Sequence, residues 1–360
     1  MKTFFYTRLF DLENKSQLPG LEIAYHTYGK LNKQGDNVVW VCHALTANSD
    51  VNEWWPGLFG EHEYFNPEDH FIVCANNLGS CYGTTGPLSV NKYTNQPWYS
   101  YFPQITIRDM VNAHELLRRY LGIQKINVLI GGSQGGQQVL EWAIKAPGLI
   151  ENCIVIASNA KHSPWGVAFN ESQRLAIKAD RTYYGNEPEG GKKGLSAARS
   201  IALLSYRNYH TYSAVQKEYN DEKISDFNAA SYQRHQGEKL SKRFNAYSYV
   251  ALLSAMDTHN VGRGRRSAEE ALGRITANTL IIGLSSDILF PPIEQLFLAK
   301  HIQNSSFRFI DSLYGHDGFL LETKKITKLL SEFMPSTKYK TSGTSTDASV
   351  AIKQQTTVQL

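Results

Sequence analysis

The sequence predicts an α/β fold, a mostly parallel sheet with helices on its faces and a helical cap inserted late in the chain. Three observations predict it. Between residues 37 and 157, short continuous apolar runs alternate with segments of helical apolar spacing, as buried parallel strands joined by crossover helices do. One run, Ile126-Asn127-Val128-Leu129-Ile130, breaks at Gly131-Gly132-Ser133-Gln134-Gly135-Gly136 into a segment with Val139, Leu140, Trp142, Ala143 and Ile144 at helical spacing. Finally, about a hundred helical, polar-rich residues separate that alternation from the next apolar run at Thr279, as a cap over the sheet's carboxyl edge would.

In chain order, residues 4–12 and 21–28 read as strands of an antiparallel edge, divided by a polar stretch at 14–20. Residues 37–42 and 71–75 are buried strands, 107–121 a helix, 126–130 the central strand and 152–157 another buried strand. The helical block carries two loops, Gly-, Lys- and Glu-rich at 185–194 and basic at 262–266. Strand patterning resumes at 279–284 and 306–310, and residues 324–334 form a closing helix. The expected division is therefore a first core part, 1–163, a cap, 164–274, and a second core part, 275–335. A Ser/Thr/Lys/Gln-rich tail, 336–360, has the composition of a disordered segment.

The 360 residues are 42% hydrophobic and 19% charged, enough for a sizeable core. A net charge of only +4, without a basic block or an aromatic-basic stripe, argues against nucleic acid as partner. Arg263-Gly264-Arg265-Arg266 reads as an exposed solvated loop rather than a phosphate cradle. Four cysteines, Cys42, Cys74, Cys81 and Cys153, lie in or beside apolar strands without metal-ligand spacing, so free buried thiols and no metal are expected. The first residues mix aromatics with Lys2, Arg8 and Asp11 and lack a continuous apolar segment. No signal peptide and no membrane span are read there, and a cytoplasmic location is expected.

Gly131-x-Ser133-x-Gly135 has the form of a nucleophile elbow, in which glycines flank a serine pushed out of a tight strand-to-helix turn. A plain Gly-rich turn, with or without a phosphate, is the simpler alternative. The partners decide between them, because a serine nucleophile in this architecture is followed by an acid and then a histidine. Asp287 lies just beyond the strand at 279–284, and His316 just beyond the strand at 306–310. Asp287 alone could cap the helix after Pro291, and His316 alone could be a loop histidine. Three such residues in order, each at a strand's carboxyl end, point to acyl chemistry by Ser133, His316 and Asp287. The oxyanion donors would be the N–H of Gln134 and, from the early loop His43-Ala44-Leu45-Thr46, the N–H of Leu45. His43 would pack against this turn.

These blocks, with Asn77-Leu78-Gly79-Ser80-Cys81-Tyr82-Gly83-Thr84-Thr85-Gly86-Pro87, Ser286-Asp287-Ile288-Leu289-Phe290-Pro291 and His316-Asp317-Gly318-Phe319-Leu320, resemble the homoserine O-acetyltransferase family of the α/β-hydrolase fold. The resemblance runs from about residue 10 to residue 334. It implies acetyl transfer from acetyl-CoA, a co-substrate rather than a bound cofactor, to L-homoserine through an acetyl-serine enzyme, for methionine biosynthesis. It assigns the triad to Ser133, Asp287 and His316. It also implies that Arg199 and Tyr206 hold the homoserine carboxylate, that Asp317 meets the substrate amino group, and that the protein is a homodimer packed through cap helices. Residues seven apart lie two turns along one helix face, so Arg199 and Tyr206 can converge on one anion; a solvated arginine beside a packed tyrosine is the simpler reading of the pair. The family usually carries methionine where Gln134 stands. That side chain is expected to bear on the acyl or acceptor pocket, which keeps a succinyl donor and a serine acceptor open, as it does a carboxylesterase-type hydrolase on the same triad.

Overall fold

The computed structural model describes residues 1–334, so the expected disorder of the tail lies outside the described residues. The main sheet has eight strands: β1 (Lys2–Tyr6), β2 (Leu21–Tyr28), β3 (Val38–Cys42), β4 (Phe71–Ala75), β5 (Ile126–Gly132), β6 (Ile150–Ile156), β7 (Asn278–Leu284) and β8 (Ser305–Ile310). Their order across the sheet is β1-β2-β4-β3-β5-β6-β7-β8. β1 and β2 run antiparallel to their neighbours, and from β4 onward every pairing is parallel. This is the α/β architecture the alternating pattern predicts.

The helices include α1 (Ile107–Tyr120), α2 (Gln134–Lys145), α3 (Pro164–Ala179), α4 (Lys192–Tyr206), α5 (Tyr209–Val215), α6 (Asn228–Ser241), α7 (Ala246–Asp257), α8 (Pro292–His301) and α9 (Thr323–Phe333). Strand side chains alternate between the two faces of the sheet. Val38, Trp40 and Cys42 of β3 pack with Met110, Leu117, Leu140 and Trp142 of α1 and α2. Val39 and Val41 pack on the other side, with Trp54, Trp55, Phe59, Ile326 and Leu330. All five residues of β3 are fully buried, hence its unbroken apolar run.

Four local expectations change. The strand expected at 4–12 is two pieces, because β1 runs out of partner at Tyr6, opposite Leu21, the first residue of β2. Phe10–Asp11 instead pairs with Gln17–Leu18 in a separate two-stranded piece. α2 starts at Gln134 rather than after Gly136, since both glycines serve as helical residues. The loop expected at 185–194 gives way to α4 at Lys192. The basic loop is not merely solvated: Gly264 and Arg266 are exposed, but Arg263 and Arg265 are paired. Arg263 donates to both carboxylate oxygens of Glu13 at 3.0 and 2.7 Å, and Arg265 donates to Glu141 at 2.9 Å. Arg108 joins the same two carboxylates, at 2.7 Å to Glu13 and 3.1 Å to Glu141. The network ties the amino-terminal segment, α1, α2 and the turn after α7 together.

Candidate active site

β5 ends at Gly132 and α2 begins at Gln134, so the chain turns at Ser133 alone. Ser133 has φ 56° and ψ −127°, a strained conformation for a non-glycine residue, of the kind that persists only where surroundings over-determine it. Those surroundings are visible. Its N–H donates to the Ile156 carbonyl at 3.0 Å, and Ser158 Oγ donates to its carbonyl at 2.9 Å. The flanking glycines are required by close approach, since a Cβ on Gly135 would lie 2.0 Å from the Cys42 carbonyl oxygen and one on Gly131 2.5 Å from Gly135.

Ser133 Oγ lies 2.8 Å from His316 Nε2, and His316 Nδ1 lies 2.7 Å from Asp287 Oδ2. Nδ1–H donating to the carboxylate leaves Nε2 free to accept the serine proton. Asp287 does not cap α8, whose N-cap is Pro291 without a side-chain bond, but it organises the turn before it. While Oδ2 holds the histidine, Oδ1 accepts the N–H groups of Leu289 and Phe290, each at 2.9 Å, and rigidifies the turn before α8. The imidazole is wedged among rings, with Phe290 at 5.1 Å, Phe319 at 5.3 Å and Tyr206 at 5.8 Å between centroids. Asp287 and His316 are each only 3% exposed, so the pair works shielded from water.

A cavity opens above this chain, and Leu45, Ser133, Arg199, Tyr206, His316 and Asp317 all line it. Of the eight residues singled out from the sequence, six line the cavity; Asp287 sits behind His316, and Gln134 behind Ser133. Arg199 is 4% exposed, lies with its guanidinium carbon 5.4 Å from the centre of the Tyr206 ring, and has its Nε buried without a partner. Among the described residues it forms no ion pair. Burial raises the Tyr206 hydroxyl above its usual pKa, which keeps it protonated as a donor.

Asp317 lines the cavity but is itself buried, and its Oδ2 pairs with Arg207 Nη1 at 2.7 Å. One expectation about this site needs correction: the Gln134 side chain does not enter the acyl or acceptor pocket. It is fully buried, accepts from Asn77 Nδ2 at 3.1 Å and donates to the Leu252 carbonyl at 3.4 Å. Sequence reasoning also passed over Arg207, although it follows Tyr206 directly. The available signal was Asp317 itself, because a carboxylate carried into a site beside an apolar run needs a cation. Phe290 and Phe319 were within quoted motifs, but nothing in one sequence says that they clamp His316.

Among the described residues, no helix is long and apolar enough to cross a membrane, and no group of three or more His, Cys, Asp or Glu side chains could hold a metal ion.

The sheet order and the Ser133–His316–Asp287 chain together define an α/β-hydrolase-fold protein, and the sequence profile of the alpha/beta hydrolase fold matches residues 37–323. Over 330 residues the chain is 48% identical to the homoserine O-acetyltransferase of Cyclobacterium marinum, covering 92% of this chain and 94% of that one. Homoserine O-acetyltransferase from Bacillus anthracis superposes with a TM-score of 0.85 at 24% identity, covering 92% and 96% of the two chains. Esterase E22 superposes at 0.84 with 22% identity, covering 92% and 98%, a likeness of fold alone. The chain belongs to the homoserine O-acetyltransferase family.

Proposed function

We propose that this protein transfers the acetyl group of acetyl-CoA to the side-chain hydroxyl of L-homoserine, with Ser133 carrying the acetyl group between the two, and that the reaction serves methionine biosynthesis. The observation that carries the reading is Arg199, a buried guanidinium in the cavity of Ser133 with no carboxylate against it among the described residues. An unmatched buried charge costs several kcal/mol, so the cavity suits a ligand that brings its own anion. An amino-acid carboxylate fits that demand, Tyr206 adds a hydroxyl donor, and Asp317 offers the opposite charge to an ammonium.

In the first half-reaction His316 Nε2 takes the Ser133 proton as Oγ attacks the thioester carbonyl. The backbone N–H groups of Gln134 and Leu45 receive the oxyanion. Collapse breaks the C–S bond, and His316 returns the proton to the leaving thiolate. In the second half-reaction the homoserine hydroxyl gives its proton to His316 and attacks the acetyl-serine carbonyl, and Ser133 leaves reprotonated. Asp287 holds the imidazole in the required tautomer throughout. Residues 164–274 act as the cap that keeps water from competing for the acetyl-enzyme. A cytoplasmic homodimer is the assembly we assign. Four free cysteines support the compartment, and exposed Tyr209, Val215, Tyr219 and Ile224 in the cap support the contact.

Thiol release from acetyl-CoA and succinyl-CoA, each with L-homoserine, L-serine or no acceptor, tests the reading. Homoserine-dependent release from acetyl-CoA that Ser133→Ala abolishes is the expected result. Acceptor-independent release would instead make the protein a hydrolase, and a preference for succinyl-CoA or L-serine would make it a different transferase of the same fold.

A further inference from the structure

The two backbone donors assigned to the oxyanion come from segments far apart in sequence, the turn at Ser133 and the loop after β3. A buried polar network joins them. Asn77 Nδ2 donates to Gln134 Oε1 at 3.1 Å, and the Asn77 backbone N–H donates to His43 Nε2 at 3.0 Å. With Nε2 accepting, His43 Nδ1 must carry the proton, and it donates to the Ala44 carbonyl at 2.8 Å. That carbonyl belongs to the same planar peptide as the N–H of Leu45, so fixing one end of the plane fixes the direction of the other. Gln138 Nε2 closes the network on the His43 carbonyl at 3.4 Å. His43, Asn77, Gln134 and Gln138 are all fully buried. Burial also pushes the His43 pKa down to about 4, so near neutral pH the ring keeps one donor and one acceptor.

We propose that the Gln134 side chain is a positioning residue for acyl transfer: through Asn77 and His43 it holds the N–H groups of Gln134 and Leu45 in one oxyanion-binding geometry. Neither Gln134 nor Asn77 lines the cavity, so the side chain acts on the reacting carbonyl only through backbone it aligns. The bond from Gln134 Nε2 to the Leu252 carbonyl extends the same clamp to α7. Methionine at this position would fill similar space while offering Asn77 no acceptor of comparable strength. This inference rests on the acyl-transfer reading above.

The experiment compares wild type, Gln134→Met, Asn77→Ala and the double variant in kcat, KM for each substrate, thermal midpoint and affinity for methylboronic acid, which forms a tetrahedral anion on the serine. We expect Gln134→Met to lower kcat about tenfold with both KM values unchanged, because misaligned donors lose part of what a missing donor loses. Boronate affinity should fall by a similar factor, and the double variant should lose little more than the worse single one. Full kcat and boronate affinity in folded Gln134→Met would overturn the proposal, even with a lowered thermal midpoint, since the network would then be structural only. If Gln134→Met does not fold, Asn77→Ala breaks the same link from the other side, and unchanged kcat there overturns it equally. A wild type that binds boronate but transfers no acetyl group would sink the reaction assignment while boronate affinity still reads the clamp.

Discussion

Two groups of arginines in this molecule are treated oppositely. Beneath the sheet's helices, Arg108, Arg263 and Arg265 share Glu13 and Glu141, so each cation has at least one carboxylate within 3.1 Å. In the cavity, Arg199 has a tyrosine ring and, among the described residues, no carboxylate partner, while the nearby acid, Asp317, pairs with Arg207 through Oδ2. The buried histidines make the same point differently. Burial pushes His114 and His259 down to about 3 and His43 and His162 to about 4, so they remain neutral where a charge would be unmatched. Arginine has no such escape, because its guanidinium does not lose its proton in proteins. Matched cations tie segments of the fold together, whereas Arg199, unmatched and buried in the cavity, is suited to a ligand that brings the counter-charge.

That contrast is tested most strongly by Arg199→Ala. It should lower kcat/KM for L-homoserine by about two to three orders of magnitude, the loss of a desolvated bidentate anion contact, and leave the KM for acetyl-CoA nearly unchanged. Arg199→Lys should recover only part, since an ammonium lacks the planar fork. Equal losses toward both substrates would remove the carboxylate assignment. Glu141→Ala should behave in the opposite way, costing about 2 kcal/mol in a urea titration because Arg265 loses the one carboxylate it pairs with among the described residues, while turnover stays intact. A variant with full stability and poor turnover would break the division between matched and unmatched sites.

The neutral histidines give a smaller effect with a definite sign. Their folded pKa values lie below the ordinary 6.5, so below that pH the unfolded chain binds more protons and stability falls as pH falls. Each should cost about 1 kcal/mol between pH 7.5 and 6, with the loss continuing toward pH 4. Urea midpoints that are flat across that range would show these rings protonated in the folded state, and the burial argument for Arg199 would weaken with them.

Much of this was legible in the chain, for reasons specific to each part. The sheet could be read because parallel strands covered on both faces have unbroken apolar runs, and the meeting of Ser133, His316 and Asp287 because all three follow a fixed order at strand ends. The separation of residues 4–6 from 10–11 could not be read, because it depends on where β2 begins opposite Tyr6. Arg263 was misjudged by the rule that isolated charges face solvent, the rule that also made a solvated Arg199 the simpler reading beside the role the resemblance implied. Which of them is matched depends on Glu13 and Glu141, and Glu13 lies 250 residues from Arg263, a pairing no local spacing encodes. Gln134 stood out as a departure from the family's usual methionine, but its actual partners, Asn77 and Leu252, come from two other segments brought together only by the fold.

The mildest test concerns Arg263, whose side chain is 36% exposed and bonded to Glu13 at the rim of the ionic network. A pair that accessible is screened by water and salt, so Arg263→Ala should cost well under about 1 kcal/mol. Glu13 would keep Arg108 as partner, and no buried charge would be stranded. The informative readout is therefore kinetic rather than thermodynamic. If the loop serves only the fold, the KM for acetyl-CoA should match wild type at low and at moderate salt alike. A severalfold rise that disappears with S-acetylpantetheine, a donor without the nucleotide phosphates, would mean that Arg263 exchanges its carboxylate for phosphate when the donor binds. Ion pairing within the chain would then no longer separate structural cations from ligand-binding ones.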